Sequence, residues 1–348
     1  MRYRLGTTED LPAALTLLRA QPTFRAPDAV WAQMLPAWRR WLADDQLGFI
    51  VWEDPRRPAA ERLRSVGMSL VVSDPFTAET LASPEPYPAR RLYTLAASPD
   101  SPVLPLDAVG RANAGNGINL FVLHNPMRIH DLAHPDQAEL LPLGPQGFYF
   151  GHAGYYVKNI LWECYGREHI DFLVAGGFSL LNSYGRGHPE IIAAGAPFRP
   201  FLGGLRRPVD LEAGYDPIRL WMFNRAHPLL ALTQPQQRML RFALLGYTDR
   251  ELEAVLGVSS NALKQRWARV YEQMARVFPP DVLEAVAELH AESHAESRVD
   301  SGDGNGGTAS RPVKRHHVLD YLRQNMHELR PYAHDKGDRP RGSGPERA

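Results

Sequence analysis

The sequence predicts an α/β or α+β domain at the N-terminus followed by an all-helical domain. Three observations carry that expectation. Strand-like and helix-like patterns alternate through the first two hundred residues. Glycine and proline then recur without clean period from His188 to Pro228, and residues 229–290 keep a helical period with no strand run. A chain of 348 residues is too long for one small domain and long enough to bury a sizeable core. With 44% hydrophobic and 22% charged residues, and no apolar run near the roughly 20 residues that span a bilayer, no membrane segment is expected. The N-terminus, MRYRLGTTEDLPAALTLL, lacks the order of an export signal, so a cytoplasmic location is expected. A single cysteine, Cys164, cannot close an intrachain disulfide, which agrees with a reducing compartment. Thirty-nine basic and 39 acidic residues exclude a protein coated in positive potential and leave only local patches.

In chain order, Arg2 to Leu5 alternates as a strand, and Thr7 to Asp10 supply the cap and acidic first turn of a helix carrying Leu11, Leu15 and Leu18. Val30, Met34, Leu35, Trp38 and Trp41 set the inner face of a helix over 28–42. The runs GFIVWED and SVGMSLVVSD read as a hairpin, and INLFVLHN (118–125) as a buried strand. A longer helix is expected over 154–165, another over 168–174, and a strand over 178–181 after Gly176 and Gly177. The expected divisions are an α/β domain over 1–200, a junction over 201–228, the helical domain over 229–290, a flexible linker over 291–312, an amphipathic helix over 313–331 and a disordered tail over 332–348.

Caps locate three helices in the second domain. Thr233 with Gln236, and Thr248 with Glu251, have capping-box spacing; Gly246 and Gly257 stop the first two helices, and Ser259 opens the third, whose inner residues are Leu263, Trp267, Val270 and Met274. Two helices joined by a tight turn containing Gly form a helix-turn-helix. The outer face of the third carries Ser259, Ser260, Asn261, Lys264, Gln265, Arg266 and Arg269, donors suited to base edges and phosphates in a major groove. On these residues the stretch from Leu232 to Met274 resembles the C-terminal helix-turn-helix of LuxR-type transcriptional regulators. Leu232 and Thr233, then Glu251, Leu252 and Val255, then Ser259, Leu263, Lys264 and Val270 follow the family pattern, while Ala262 and Arg266 depart from it. The resemblance implies a bacterial-type regulator that binds double-stranded DNA as a homodimer, with its N-terminal domain sensing a small-molecule effector or serving as an assembly surface.

The opening strand and helix, the hairpin, INLFVLHN and HIDFLVAGGFSLL are similar to the GNAT-type N-acetyltransferases. That resemblance implies the alternative function, an acetyltransferase with an accessory helical module, using acetyl-CoA. The family's phosphate loop is matched only in FYFGHAG, where Gly151 and Ala153 fit and Phe148 replaces the usual Gln or Arg. HDLAH (130–134) has metal-ligand spacing, but Pro126 and Pro135 favour a solvated loop, so no metal is expected. Cys164 reads as a buried inert thiol. Tyr155, Tyr156, Trp162 and Phe172 read as core rather than as a ligand pocket. No catalytic set stands out.

Overall fold

The computed structural model describes residues 1–82, 85–129, 134–184, 188–207, 223–278 and 315–334. The chain divides into two compact units, Met1–Arg225 with the segment from Pro331, and Ala226–Arg330. Among the described residues no helix is long and apolar enough to cross a membrane.

The first unit is a mixed α/β domain. Its strands are β1 (Arg2–Leu5), β2 (Leu47–Glu53), β3 (Leu63–Val72), β4 (Ile118–His124), β5 (Val157–Tyr165), β6 (Ser179–Ser183) and β7 (Pro200–Arg206). They form one sheet in the order β1-β2-β3-β4-β5-β7-β6. Every neighbouring pair is antiparallel except β4 and β5, which run parallel from Ile118↔Val157 onward. Its helices are α1 (Leu11–Arg19), α2 (Asp28–Ala43), α3 (Ala59–Arg62), α4 (Asp74–Ala82), α5 (Pro88–Thr94), α6 (Leu106–Ala114), α7 (Pro135–Leu140), α8 (Leu143–His152), α9 (Arg167–Ala175) and α10 (Pro189–Ala194).

Alternation along each strand sorts the core into two faces. On one, Phe121, Leu123 and Leu161 meet Leu11, Met34, Trp38, Trp41 and Leu92 from α1, α2 and α5. On the other lie Ile118, Leu120, Val122, Val157 and Ile160. Each fully buried side chain of this kind contributes about 1.5–3 kcal/mol of transfer free energy, so the two layers fix the sheet.

The helix expected over 154–165 is strand β5. Its apolar residues Val157, Ile160, Leu161 and Cys164 fall at helical spacing, but both faces of the strand are covered, which removes the alternation that would have identified it. The junction expected over 201–228 contains β7, which sits inside the sheet between β5 and β6, so the unit boundary moves to Arg225/Ala226. Pro200, Gly203 and Gly204 disguised it. The glycines are needed, because a Cβ at Gly204 would stand 2.3 Å from Leu181 Cδ1 and 2.9 Å from the Ile160 carbonyl. Gly204→Ala should therefore lower the melting temperature by several degrees, consistent with an overpacking cost of about 1–3 kcal/mol. A thermal scan showing no change would contradict this packing.

In the second unit, α11 (Gln234–Leu244), α12 (Asp249–Leu256) and α13 (Ser260–Val277) carry capping boxes at Thr233 and Thr248 and a side-chain cap at Ser259. α14 (Arg315–Gln324) and the 3-10 turn Met326–Leu329 pack on α11. The amphipathic helix expected over 313–331 is thus a helix and a 3-10 turn separated at Asn325. Beyond them Pro331 and Ala333 bond to Asn113 and Gly110 of the first unit, so the start of the expected tail is ordered. The expected linker over 291–312 lies outside the described residues, as does the rest of the tail.

Candidate functional site

The parallel pair does not stay together. β4 and β5 pair through Val122↔Trp162 and no further, although β4 runs on to His124 and β5 to Tyr165. The cause lies on the other edge of β4. Ser69 faces Val122 and Met68 faces His124, so Leu123 is an extra residue, a β-bulge. A bulge bends its strand and increases the local twist. It also turns both Leu123 and His124 toward the face covered by α1, α2 and α5, where His124 meets Phe24, Trp38 and Tyr93.

On β5 the same face carries Leu161, Glu163 and Tyr165. The Glu163 carboxylate, 5% exposed, accepts from the Tyr165 hydroxyl at 2.9 Å and from the Ala89 backbone N–H at 3.0 Å, in the first turn of α5. A second chain of bonds lies beside it. Trp38 Nε1 donates to the Tyr93 hydroxyl at 2.8 Å, and that hydroxyl pairs with His124 Nε2 at 2.6 Å. Phe24, from the segment between α1 and α2, packs edge-on against both His124 and Tyr165. From the end of β6, Tyr184 joins the same core, 2% exposed, and its buried hydroxyl finds no hydrogen-bond partner among the described residues.

Burial sets the protonation states. It pushes Glu163 up to about 7, against the lowering effects of the Ala89 N–H, the Tyr165 hydroxyl and the Arg90 guanidinium. It drives His124 down to about 3, so the imidazole is neutral. Burial and the Glu163 charge both raise Tyr184. The fold therefore places a carboxyl group poised near neutral pH within electrostatic reach of a neutral, unpartnered phenol. A carboxyl of that kind can accept a proton from an amine, and a phenol can supply one to a leaving atom.

The residues singled out from sequence lie elsewhere. Gly151 stands in the last turns of α8 and Ala153 just beyond it, with Phe148 inside the helix. A helix C-terminus presents carbonyl oxygens and repels phosphate, so the FYFGHAG loop is not a phosphate cradle. His152 in that stretch pairs instead with Ser69 Oγ at 2.7 Å. His134 caps α7, accepting from Asp136 N, and His130 lies outside the described residues. No group of three metal-ligating side chains occurs among those residues. Cys164 points to the opposite face of β5, buried with Ile170, Leu173 and Phe201, and burial with the Glu163 charge pushes its thiol up to about 12. Phe172 is exposed and Tyr156 lies under Arg207, so the four aromatics form no common pocket. In the second unit Ser259 caps α13. Ser260, Asn261, Lys264, Gln265 and Arg269 are exposed along it, and Arg266 is half-buried. Lys264 lines an open cavity of about 280 Å³ with Asp249, Trp267, Tyr271 and Arg315.

No family model matches the chain, and no curated protein matches it. Solved structures do resemble it over the first unit. Arabidopsis thaliana NAA60 in complex with a bisubstrate analogue is 12% identical, with 59% of this chain and 96% of that chain covered and a TM-score of 0.34. The spermidine/spermine N-acetyltransferase SpeG of Vibrio cholerae is 8% identical over 59% and 93%, with a TM-score of 0.32. GphF, a GNAT-like decarboxylase in complex with isobutyryl-CoA, is 13% identical over 59% and 99%, with a TM-score of 0.33. The expectation of a LuxR-type, DNA-binding bacterial transcription regulator is corrected to this extent: no family model matches the chain, and the structures named here are N-acetyltransferases or a GNAT-like protein, so nothing in these comparisons points to transcription regulation. At such low identity the chemistry has to be read from this chain's own side chains.

Proposed function

We propose that the chain is an N-acyltransferase of the GNAT type, with the helical second unit as an accessory module. One observation carries the reading. A buried glutamate held near neutrality sits where the parallel strands diverge, within electrostatic reach of a buried hydroxyl without a partner among the described residues. In the reaction this supports, the donor is an acyl thioester and the acceptor a primary amine. The amine nitrogen bonds to the acyl carbon and the C–S bond breaks. Glu163 takes the proton that the nitrogen loses, and the Tyr184 hydroxyl supplies one to the departing sulfur. Solvent returns the proton from Glu163 to Tyr184. His124 and Tyr93 are positioning residues: their bonds to each other and to Trp38 hold the bulged end of β4.

The donor set at Glu163 and Tyr184 suits the thioester end of acetyl-CoA. Its phosphate end is not matched by the loop the sequence offered, since Gly151 and Ala153 stand at a helix C-terminus, and no role is assigned there. The test mixes the full chain with acetyl-CoA and a panel of primary amines and looks for N-acetyl product by mass spectrometry. Product with at least one amine is expected. None with any amine would contradict the reading.

A further inference from the structure

The second unit carries a cavity that the transferase reading does not use. We infer that it is a binding site for a small aromatic carboxylate, a single ring bearing one negative charge. The inference stands apart from the transferase reading.

Helix spacing builds the cavity. Lys264, Trp267, Ala268 and Tyr271 stand at i, i+3, i+4 and i+7 on α13, so they share one face. Asp249, the first residue of α12, and Arg315, the first of α14, complete the lining of a space of about 280 Å³. Pockets for drug-sized ligands run from about 300 to 1,000 Å³, so this one suits a single ring with its head group.

The wall is aromatic. The Trp267 and Tyr271 rings lie 5.7 Å apart and 22° from parallel, and Ala268 puts only a methyl group beside them. A flat ring gains by stacking on such a surface. The Trp267 indole Nε1 is buried and unpartnered among the described residues, so this wall also holds a donor that no protein acceptor meets.

Charge selects the head group. Three contacts fix Arg315: Nη1 donates to Asp249 Oδ1 at 2.6 Å, Nη2 donates to the Tyr247 carbonyl at 3.1 Å, and the guanidinium sits over the Trp267 ring at 4.6 Å. A guanidinium has donors to spare after two such bonds, and here it is already held in place. Asp249 offsets its charge. Lys264 is exposed and meets no carboxylate among the described residues, so it supplies the net positive charge of the cavity. Burial raises the pKa of Tyr271, whose hydroxyl stays a neutral donor and makes no hydrogen bond among the described residues. Two cations against one carboxylate match a monoanion, whereas a dianionic phosphate ester would leave one charge unmatched beside Asp249.

The test is calorimetric titration of the full chain with sodium benzoate at constant ionic strength, with acetate, benzamide and phenyl phosphate as comparisons. Benzoate should bind with a Kd of about 1 mM or tighter. Acetate, which lacks the ring, and benzamide, which lacks the charge, should bind at least about 10-fold more weakly. Lys264→Gln should weaken benzoate binding at least about 10-fold. Arg269→Gln, which removes an exposed cation of the same helix that does not line the cavity, should change it by less than about 2-fold. Both positions are exposed, and an unchanged melting temperature reports that each variant is folded. Absence of saturable benzoate binding up to about 10 mM overturns the inference. Equal losses in the two variants overturn it as well, since they mean diffuse attraction to a basic helix. So does acetate binding as tightly as benzoate, or phenyl phosphate binding more tightly. None of these outcomes bears on acetyl transfer, so the two readings fail separately.

Discussion

Replacing Glu163 by Gln is expected to turn a level stability profile into one that climbs with pH. Two buried groups titrate in opposite directions in this core. Glu163 ionises near 4.5 in the unfolded chain and near 7 in the fold, so the unfolded state loses its proton first, and stability falls by about 3 kcal/mol as pH rises through that window. His124 works the other way. Unfolded, it takes up a proton near 6.5; folded, only near 3, so stability is full above 6.5 and is lost as pH falls toward 3. Between pH 4.5 and 6.5 the two slopes oppose each other, each about 1.4 kcal/mol per pH unit. In Glu163→Gln the carboxamide oxygen still accepts from Ala89 and its NH₂ can donate to Tyr165, so packing is kept and only the histidine slope remains. Chemical denaturation from pH 4.5 to 6.5 should show stability rising with pH in this variant and falling with pH in His124→Gln. Parallel profiles for the three proteins would mean that these groups do not titrate as the burial requires.

The second large effect belongs to the other unit. Glu328 is fully buried, and its carboxylate accepts from the backbone N–H groups of Leu229 and Leu230 at 2.8 and 3.0 Å and from the Tyr321 hydroxyl at 2.8 Å. It ties the entry of α11 to α14 and to the 3-10 turn that bears it. Glu328→Ala leaves three donors unmet, one buried and two partly buried; a buried donor costs about 1–3 kcal/mol when unmet and a partly buried one less, so a loss of roughly 2–4 kcal/mol is expected in denaturant unfolding. Glu328→Gln keeps one acceptor oxygen and should lose less. A change within 1 kcal/mol for the alanine variant would show that water meets those donors.

Much of the first unit was legible because one physical signal sufficed for each element. The opening strand and helix, the helix from Asp28, the hairpin and β4 all follow from apolar spacing and caps. β5 was not legible. Val157, Ile160, Leu161 and Cys164 repeat like a helix, and only the sheet neighbours on both sides decide otherwise. That one error hid the candidate site. Read as a helix, the stretch ILWECYG offers a lone acid beside a cysteine. Read as a strand, it puts Glu163 and Tyr165 on one face, two residues apart. His124 was equally hidden, because the bulge at Leu123 reverses the face that simple alternation assigns to it. In the second unit the caps of α11, α12 and α13 were legible, but a capped helix order with exposed cations is a packing pattern as well as a functional one, so it does not assign a function by itself.

The measurement that tests the central claim most directly is the initial rate of acetyl transfer from acetyl-CoA to a primary amine, followed from pH 5 to 9 for the wild type and Glu163→Gln. The account predicts a wild-type rate that rises through about pH 7, as the buried carboxyl loses its proton, and then levels. It predicts a variant at least about 100-fold slower throughout. A wild type with no transfer at any pH, or a variant as fast as the wild type, would contradict it.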